Sequence, residues 1–292
     1  MYMFRNRIGT LILILAMVGI ILVIGEIVGG PRGLMIALVF ALVFNFIAYW
    51  FSDRIALAAH RARPAPEKDY PQLYGAVRDL TLRANLPMPK VYIIPTDSPN
   101  AFATGRNPGN ASVAVTTGLM ATLNDRELRG VIGHELAHIR HYDILITTIA
   151  AVLASVIFFT ARLLQWRLFW GSGDRRREGG DILSLIAILA VVILAPLAAL
   201  LLQMAVSRRR EYLADAGAAE MTSDPLGLSS ALKKLDSWNR RLPMQASPAY
   251  SSLYIVNAGI GSFAGLFSTH PPTTERVRRL EEMAYPRTAE VP

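Results

Sequence analysis

The sequence predicts a membrane protein, mainly α-helical with a small β-sheet, built on four hydrophobic helices. Three observations predict it. Hydrophobic residues make up 52% of the 292-residue chain and charged residues only 18%, against roughly 25% charged in an ordinary globular chain. Four apolar runs stand out, at 8–25, 33–51, 144–161 and 182–206, each near the ~18–20 residues that a spanning helix needs. Arginines gather at the ends of these runs, as Arg5 and Arg7, as Arg54, Arg61 and Arg63, and as Arg208, Arg209 and Arg210. That is the charge pattern of loops on the inner side of a membrane.

The same pattern accounts for the net charge of +8. No aromatic-basic module accompanies the charge, so a nucleic-acid partner is not expected. The chain has no cysteine, which excludes disulfides and thiolate chemistry and leaves histidine and carboxylate as metal ligands.

Taken in order, residues 1–52 form an N-terminal transmembrane hairpin. Its two apolar runs are joined by EIVGGPRG, whose glycines and proline suit a tight turn. The first run lacks a small-residue cleavage site, so it is not expected to be a removable signal. Residues 53–143 are more polar. A helix is expected over 67–85, with Leu73, Val77, Leu80 and Leu82 at helical spacing. Short strands are expected at 90–95, 101–106 and 111–117, separated by proline, glycine and asparagine. Asn124 or Asp125 then caps a helix that passes through HELAH, 134–138, and runs on into the third apolar run.

Residues 144–206 form a second hairpin, with Pro196 placed to kink its second arm. Residues 207–292 return to polar sequence. They open with SRRREYLADAGAAEM, turn at Asp224-Pro225 and continue as a helix to about Arg241. A loop follows over 243–261, within which 254–256 has strand character, and a final helix starts after Pro271-Pro272. Two apolar runs separate the polar blocks 53–143 and 207–292, so both blocks face one side, and the arginines assign that side to the cytoplasm. The loop carrying Arg175, Arg176 and Arg177 dissents. Either it crosses despite its charge or the second hairpin dips into the bilayer without crossing.

Candidate chemistry centres on His134-Glu135-Leu136-Ala137-His138. On a helix, positions i and i+4 share a face, so both histidines can offer a ring nitrogen to one ion while Glu135 reaches an attacking water. A catalytic zinc takes a third protein ligand. His141 lies on a different face, Asp143 suits a helper rather than a ligand, and His60 reads as a solvated residue at the foot of the second run. Glu211 and Asp215 repeat the i, i+4 spacing. Glu211 can ligate while Asp215 accepts a hydrogen bond from a ligating histidine. The same pair reads equally well as a solvated face beside Arg208–Arg210.

Six segments resemble the signature blocks of the HtpX family of membrane-embedded zinc metalloproteases, relatives of the CaaX prenyl endopeptidases. They are YWFSDRIAL at the end of the second run, SPNAFATGR (98–106), VTTGLM (115–120), GHELAHIRHYD (133–143), SRRREYLADAGA (207–218) and LFSTHPPTTERVRRL (266–280). The resemblance implies a gluzincin-like zinc protease domain carried on the hydrophobic helices, with one Zn2+ per chain. It implies His134, His138 and Glu211 as metal ligands and Glu135 as general base. Asp215 would support a ligating histidine, Asn100 would bind substrate at the active-site edge strand, and His270 would approach the scissile carbonyl. The family more often has asparagine or another polar residue where this chain has His141.

The implied activity is hydrolysis of misfolded or damaged membrane proteins at the cytoplasmic face, in quality control under stress. Polypeptides and the lipid bilayer are then the partners, and the chain is a multi-pass protein of the cell membrane with both termini and the active site cytoplasmic. Three other readings stand beside it: a CaaX-type processing protease, an intramembrane protease, and a membrane scaffold with a structural metal.

Overall fold

The computed structural model describes residues 2–154, 208–241, 253, 255 and 271–285. The expected second hairpin beyond residue 154 and His270 lie outside the described residues.

Helix α1 (Tyr2–Ala59) is two helices meeting at Gly30. Gly30 takes φ 53°, ψ −144°, a conformation that costs a glycine little because it has no Cβ. Pro31 follows at the start of the second helix, where its missing N–H has no intrahelical partner to lose. The linker EIVGGPRG therefore breaks the helix at one residue, Gly30, with no separate loop. Residues Gly30–Ala59 have a mean hydropathy of 2.3 over an 18-residue window that is only 17% buried, and are long and apolar enough to cross a membrane. Ile36, Leu42 and Phe46 are among the large apolar side chains they leave exposed.

After α1 come β1 (Arg63–Pro64), α2 (Pro71–Arg83), β2 (Lys90–Ile94), β3 (Ala101–Gly105), a 3-10 turn at Pro108–Asn110 and β4 (Ala111–Thr116). Helix α2 starts four residues later than its apolar spacing suggests, with Pro71 at its first turn. The strands form a mixed sheet in the order β1-β2-β4-β3. β2 and β4 are parallel, with Tyr92 opposite Ala114, and β3 and β4 are antiparallel, with Ala103 opposite Val113. Among the described residues β3 is thus an edge strand. The short helix α3 (Thr117–Thr122) follows, and the Thr116 hydroxyl caps it by accepting from Leu119 N–H. The sequence reading did not separate α3 from the strand before it.

Helix α4 (Asp125–Arg140) has the expected start. Asn124 and Glu127 form a reciprocal capping box, which satisfies two otherwise orphaned N–H donors. Its end differs from expectation. α4 does not run straight into the third apolar run; the chain breaks at His141 and Tyr142, and α5 (Asp143–Ala154) leaves at 92°. The physical reason lies in Tyr142, which has φ 60°. That left-handed conformation closes the last turn, with Tyr142 N–H donating to Ile139 O at 3.1 Å.

Helices α6 (Arg208–Thr222), α7 (Pro225–Arg241) and α8 (Thr273–Ala284) complete the described elements. α4 packs against α2, α6, α7 and β3, and α8 packs against α6 and α7. The main core joins Leu73, Val77 and Leu80 of α2, Val113 and Val115 of β4, Ile132 and Leu136 of α4, Leu232 of α7 and Leu280 of α8. α4 and α6 meet closely because small residues face each other. A Cβ on Gly217 would stand 2.9 Å from Ala137 Cβ. This close approach brings Glu211 and Asp215 within reach of the α4 histidines.

Candidate active site

His134 and His138 stand one turn apart on α4 and turn their Nε2 atoms toward each other, 3.2 Å apart. Each ring is oriented from behind by a carboxylate. His134 Nδ1 lies 3.0 Å from Asp215 Oδ1 of α6, and His138 Nδ1 lies 3.1 Å from Asp143 Oδ2 at the start of α5. If each Nδ1–H is given to its carboxylate, both Nε2 atoms carry lone pairs. Two lone pairs then face each other, with Glu211 Oε2 at 3.7 Å from His134 Nε2 and Glu211 Oε1 at 3.6 Å from His138 Nε2. Four electron-rich atoms converging in a buried space are stable only around a cation. One donor atom from each of His134, His138 and Glu211 lies within 4.8 Å of the others, so the residues present fit a three-ligand metal site.

The electrostatics agree. Burial depresses the His134 pKa to about 4, against the pull of Asp215, so this ring stays neutral and able to ligate. For His138 burial also acts downward, but Asp143 and Glu211 outweigh it and raise the pKa to about 9. The position demands positive charge, as a proton or as a metal.

Glu135 is 5% exposed, and burial raises its pKa to about 7. A carboxyl group near neutrality can both take and return a proton. Its Oε2 accepts from the N–H of Ala103 on β3 at 2.7 Å. This contact ties the carboxylate to the side of β3 that does not pair with β4. His134, Glu135, His138, Glu211, Phe102, Ala103, Ile144, Thr147, Leu253 and Ile255 line a cavity of about 30 Å³, room for roughly two waters.

Asn100 is 3% exposed at the head of β3. Its N–H donates to the Thr116 hydroxyl at 2.9 Å, and its side-chain Oδ1 accepts from Ile255 N–H at 3.3 Å. His60 is not simply solvated. Its Nδ1 pairs with Ala56 O at 2.8 Å and its ring lies 4.9 Å from that of Phe102 on β3.

This geometry suits a metal-dependent peptidase, and comparison with known proteins agrees. Residues 67–284 match the model of peptidase family M48. The chain belongs to that family. It is 50% identical over 283 residues to a protease HtpX homolog of Syntrophobacter fumaroxidans, covering 95% of this chain and 99% of that protein. A protease HtpX homolog of Desulforapulum autotrophicum is 47% identical over 277 residues, covering 94% and 89%. The crystal structure of S. mikatae Ste24p shares the fold, with a TM-score of 0.50 at 19% identity over 96% of this chain and 66% of that one. The M48 chain is accordingly a metalloprotease acting on polypeptides, with a mostly helical fold and a small mixed sheet.

Sequence reasoning missed one member of the site. Arg276 of α8 is 2% exposed. Its Nε and Nη2 donate to Asp215 Oδ2 and Oδ1 at 2.9 and 2.7 Å, its Nη1 donates to Ile255 O at 2.7 Å, and its Nη2 lies 3.4 Å from His134 Nδ1. Burial opposes the charge of Arg276, yet Asp215 more than compensates and raises its pKa. The sequence reading placed TTERVRRL on the final helix and gave its arginines no role. The available signal was position: Arg276 shares the buried face of α8 with Val277 and Leu280.

Proposed function

We propose that this M48 chain is a zinc-dependent membrane endopeptidase that cuts misfolded or damaged membrane proteins at the cytoplasmic face. The observation that carries the reading is the convergence of His134, His138 and Glu211 donor atoms beside a buried Glu135 that touches an edge strand. Histidine nitrogens with one carboxylate suit zinc. A zinc ion held by these three residues supplies Lewis acidity, which makes water nucleophilic near neutral pH and polarises a carbonyl.

The chain's own residues do the rest. Glu135 takes the proton of the attacking water and returns it to the leaving amine nitrogen. Asp215 and Asp143 hold the histidine rings and their tautomers. The side of β3 that does not pair with β4, which lines the site cavity at Phe102 and Ala103, offers backbone groups on which an extended substrate pairs as an added strand, with Asn100 at its head. His270 approaches the scissile carbonyl oxygen.

The exposed apolar surface of Gly30–Ala59 supports insertion in a bilayer. The division then follows the charge pattern: residues 1–52 as an N-terminal hairpin, 144–206 as a second membrane or membrane-dipping hairpin, and 53–143 with 207–292 as the two halves of a cytoplasmic protease domain. Trp50, whose ring lies 4.2 Å from the Arg106 guanidinium, joins the membrane helix to the end of β3, which supports an active site near the bilayer surface.

Glu135→Gln tests the reading. The variant is expected to retain zinc at one per chain by metal analysis and to lose peptide hydrolysis by about 10²–10⁴-fold. Full residual activity would remove Glu135 from the mechanism. The same variant, expressed in membranes, should accumulate uncut membrane proteins; capture of soluble proteins alone would argue against the quality-control role.

A further inference from the structure

We infer that Arg276 is a positioning residue that couples the metal-holding half of the site to the wall beside the edge strand. This rests on the metalloprotease reading above and adds to it a residue whose shortest hydrogen bonds go to Asp215 and Ile255, while its Nη2 stands 3.5 Å from His134 Nε2 and its Nη1 3.8 Å from Glu211 Oε2. The guanidinium spends its donors in two directions. Toward the metal site, Nε and Nη2 form a fork on Asp215, at 2.9 and 2.7 Å, and Asp215 Oδ1 faces His134 Nδ1 at 3.0 Å. Toward the wall, Nη1 donates to Ile255 O at 2.7 Å, while Ile255 N–H donates to Asn100 Oδ1 at 3.3 Å. One side chain of α8 thus closes two hydrogen-bond chains, one ending at a metal-site histidine and the other at the head of β3.

The chemistry of arginine explains why this residue type stands here. Its planar fork grips a carboxylate with two N–H groups and keeps others for a second acceptor in a fixed direction, which a lysine ammonium cannot do. A merely stabilising role would not call for it. A buried ion pair costs desolvation, and well-packed apolar residues often serve a fold equally well. Arg276 is 2% exposed and Asp215 also 2%, so the pair bears that cost in full. Orienting Asp215 gives His134 one ring position and one tautomer, and holding Ile255 gives the cavity a fixed wall.

The test uses the full-length protein in detergent. Zinc affinity is measured by competition with a chromogenic chelator, and kcat and KM are measured on an unfolded polypeptide. Arg276→Met is expected to weaken zinc about tenfold or more. Arg276→Lys keeps the charge opposite Asp215 but loses the fork; it is expected to hold zinc more nearly as wild type does while KM rises. On an Asp215→Ala background, Arg276→Met should cause no further loss of zinc, because the chain is already cut at Asp215. The proposal is overturned if Arg276→Met binds zinc as wild type does, or loses the same factor again on that background. Should Arg276→Met fail to fold, wild-type zinc affinity together with wild-type KM in Arg276→Lys overturns it. Failure of the underlying reading looks different: the wild-type protein itself would then bind no zinc.

Discussion

The two histidines of the site sit one helical turn apart, yet different kinds of structure hold them. His138 is supported by Asp143, five residues onward, across the break between α4 and α5. His134 is supported by Asp215 from α6, which is gripped in turn by Arg276 from α8. The His138 side chain keeps 15% exposure and that of His134 only 1%. One side of the metal centre is built locally by a bend in the chain. The other is built by three helices packing together, and it is sealed from water. Both supporting carboxylates are buried, with side-chain exposures of 2% for Asp143 and 3% for Asp215; the difference is that losing Asp215 strands the buried Arg276 charge, whereas losing Asp143 leaves a histidine that water can still reach.

The largest expected difference between the two sides comes from removing the supporting carboxylates. Asp215→Ala strands the buried Arg276 and should cost about 3–5 kcal/mol of stability, while Asp143→Ala should cost about 1–3 kcal/mol. Chemical denaturation in detergent measures both. Equal losses would abolish the distinction between a sealed and a local support.

Helix packing comes next. Gly217→Val puts a side chain where Ala137 Cβ is already 2.9 Å from an added Cβ, so α6 must move from α4. About 1–3 kcal/mol of stability should be lost. Zinc affinity should fall with it, since Glu211 rides on α6. Loss of stability with unchanged zinc affinity would show that the ligand geometry survives without that contact.

The acid limb sharpens the comparison further. Burial would raise the Asp215 pKa, but Arg276 and His134 overcome it and hold it at about 2, below the usual 3.8. A carboxylate with a depressed folded-state pKa contributes stability that is present above its unfolded value and lost as pH falls through the folded one. Stability should therefore decline between about pH 4 and pH 2, and Asp215→Asn should flatten that slope. An unchanged slope would assign the acid sensitivity to other carboxylates. The smallest effect belongs to the contact with the membrane helix: Arg106→Ala removes the guanidinium over Trp50 and should cost about 0.5–1 kcal/mol, visible as a small shift in the denaturation midpoint.

Much of this architecture follows from local pattern. A helix cap at Asn124 or Asp125, the three main strands and the start of α7 at Pro225 were legible because caps, turns and periodicity act within a few residues. The break after α4 was not. Tyr142 adopts φ 60° at a position where glycine is the usual marker, so the chain carries no ordinary sign of a bend. His60 was misjudged for a related reason, since its packing on Phe102 depends on where α1 meets the sheet.

The site divides along the same line. His134, Glu135 and His138 share a face because helical geometry alone makes i and i+4 neighbours, and sequence by itself determined that trio. The repeat of that spacing at Glu211 and Asp215 allowed two readings, a ligand with its supporting carboxylate or a solvated salt-bridged face. Tertiary structure decided between them: packing through Gly217 and Ala137 buries both carboxylates and turns them toward the histidines. It alone brought in Arg276, because the partner that makes a buried charge tolerable lies far away in sequence. Local spacing states which side chains can act together; only the folded chain states which charges must compensate one another once water is gone.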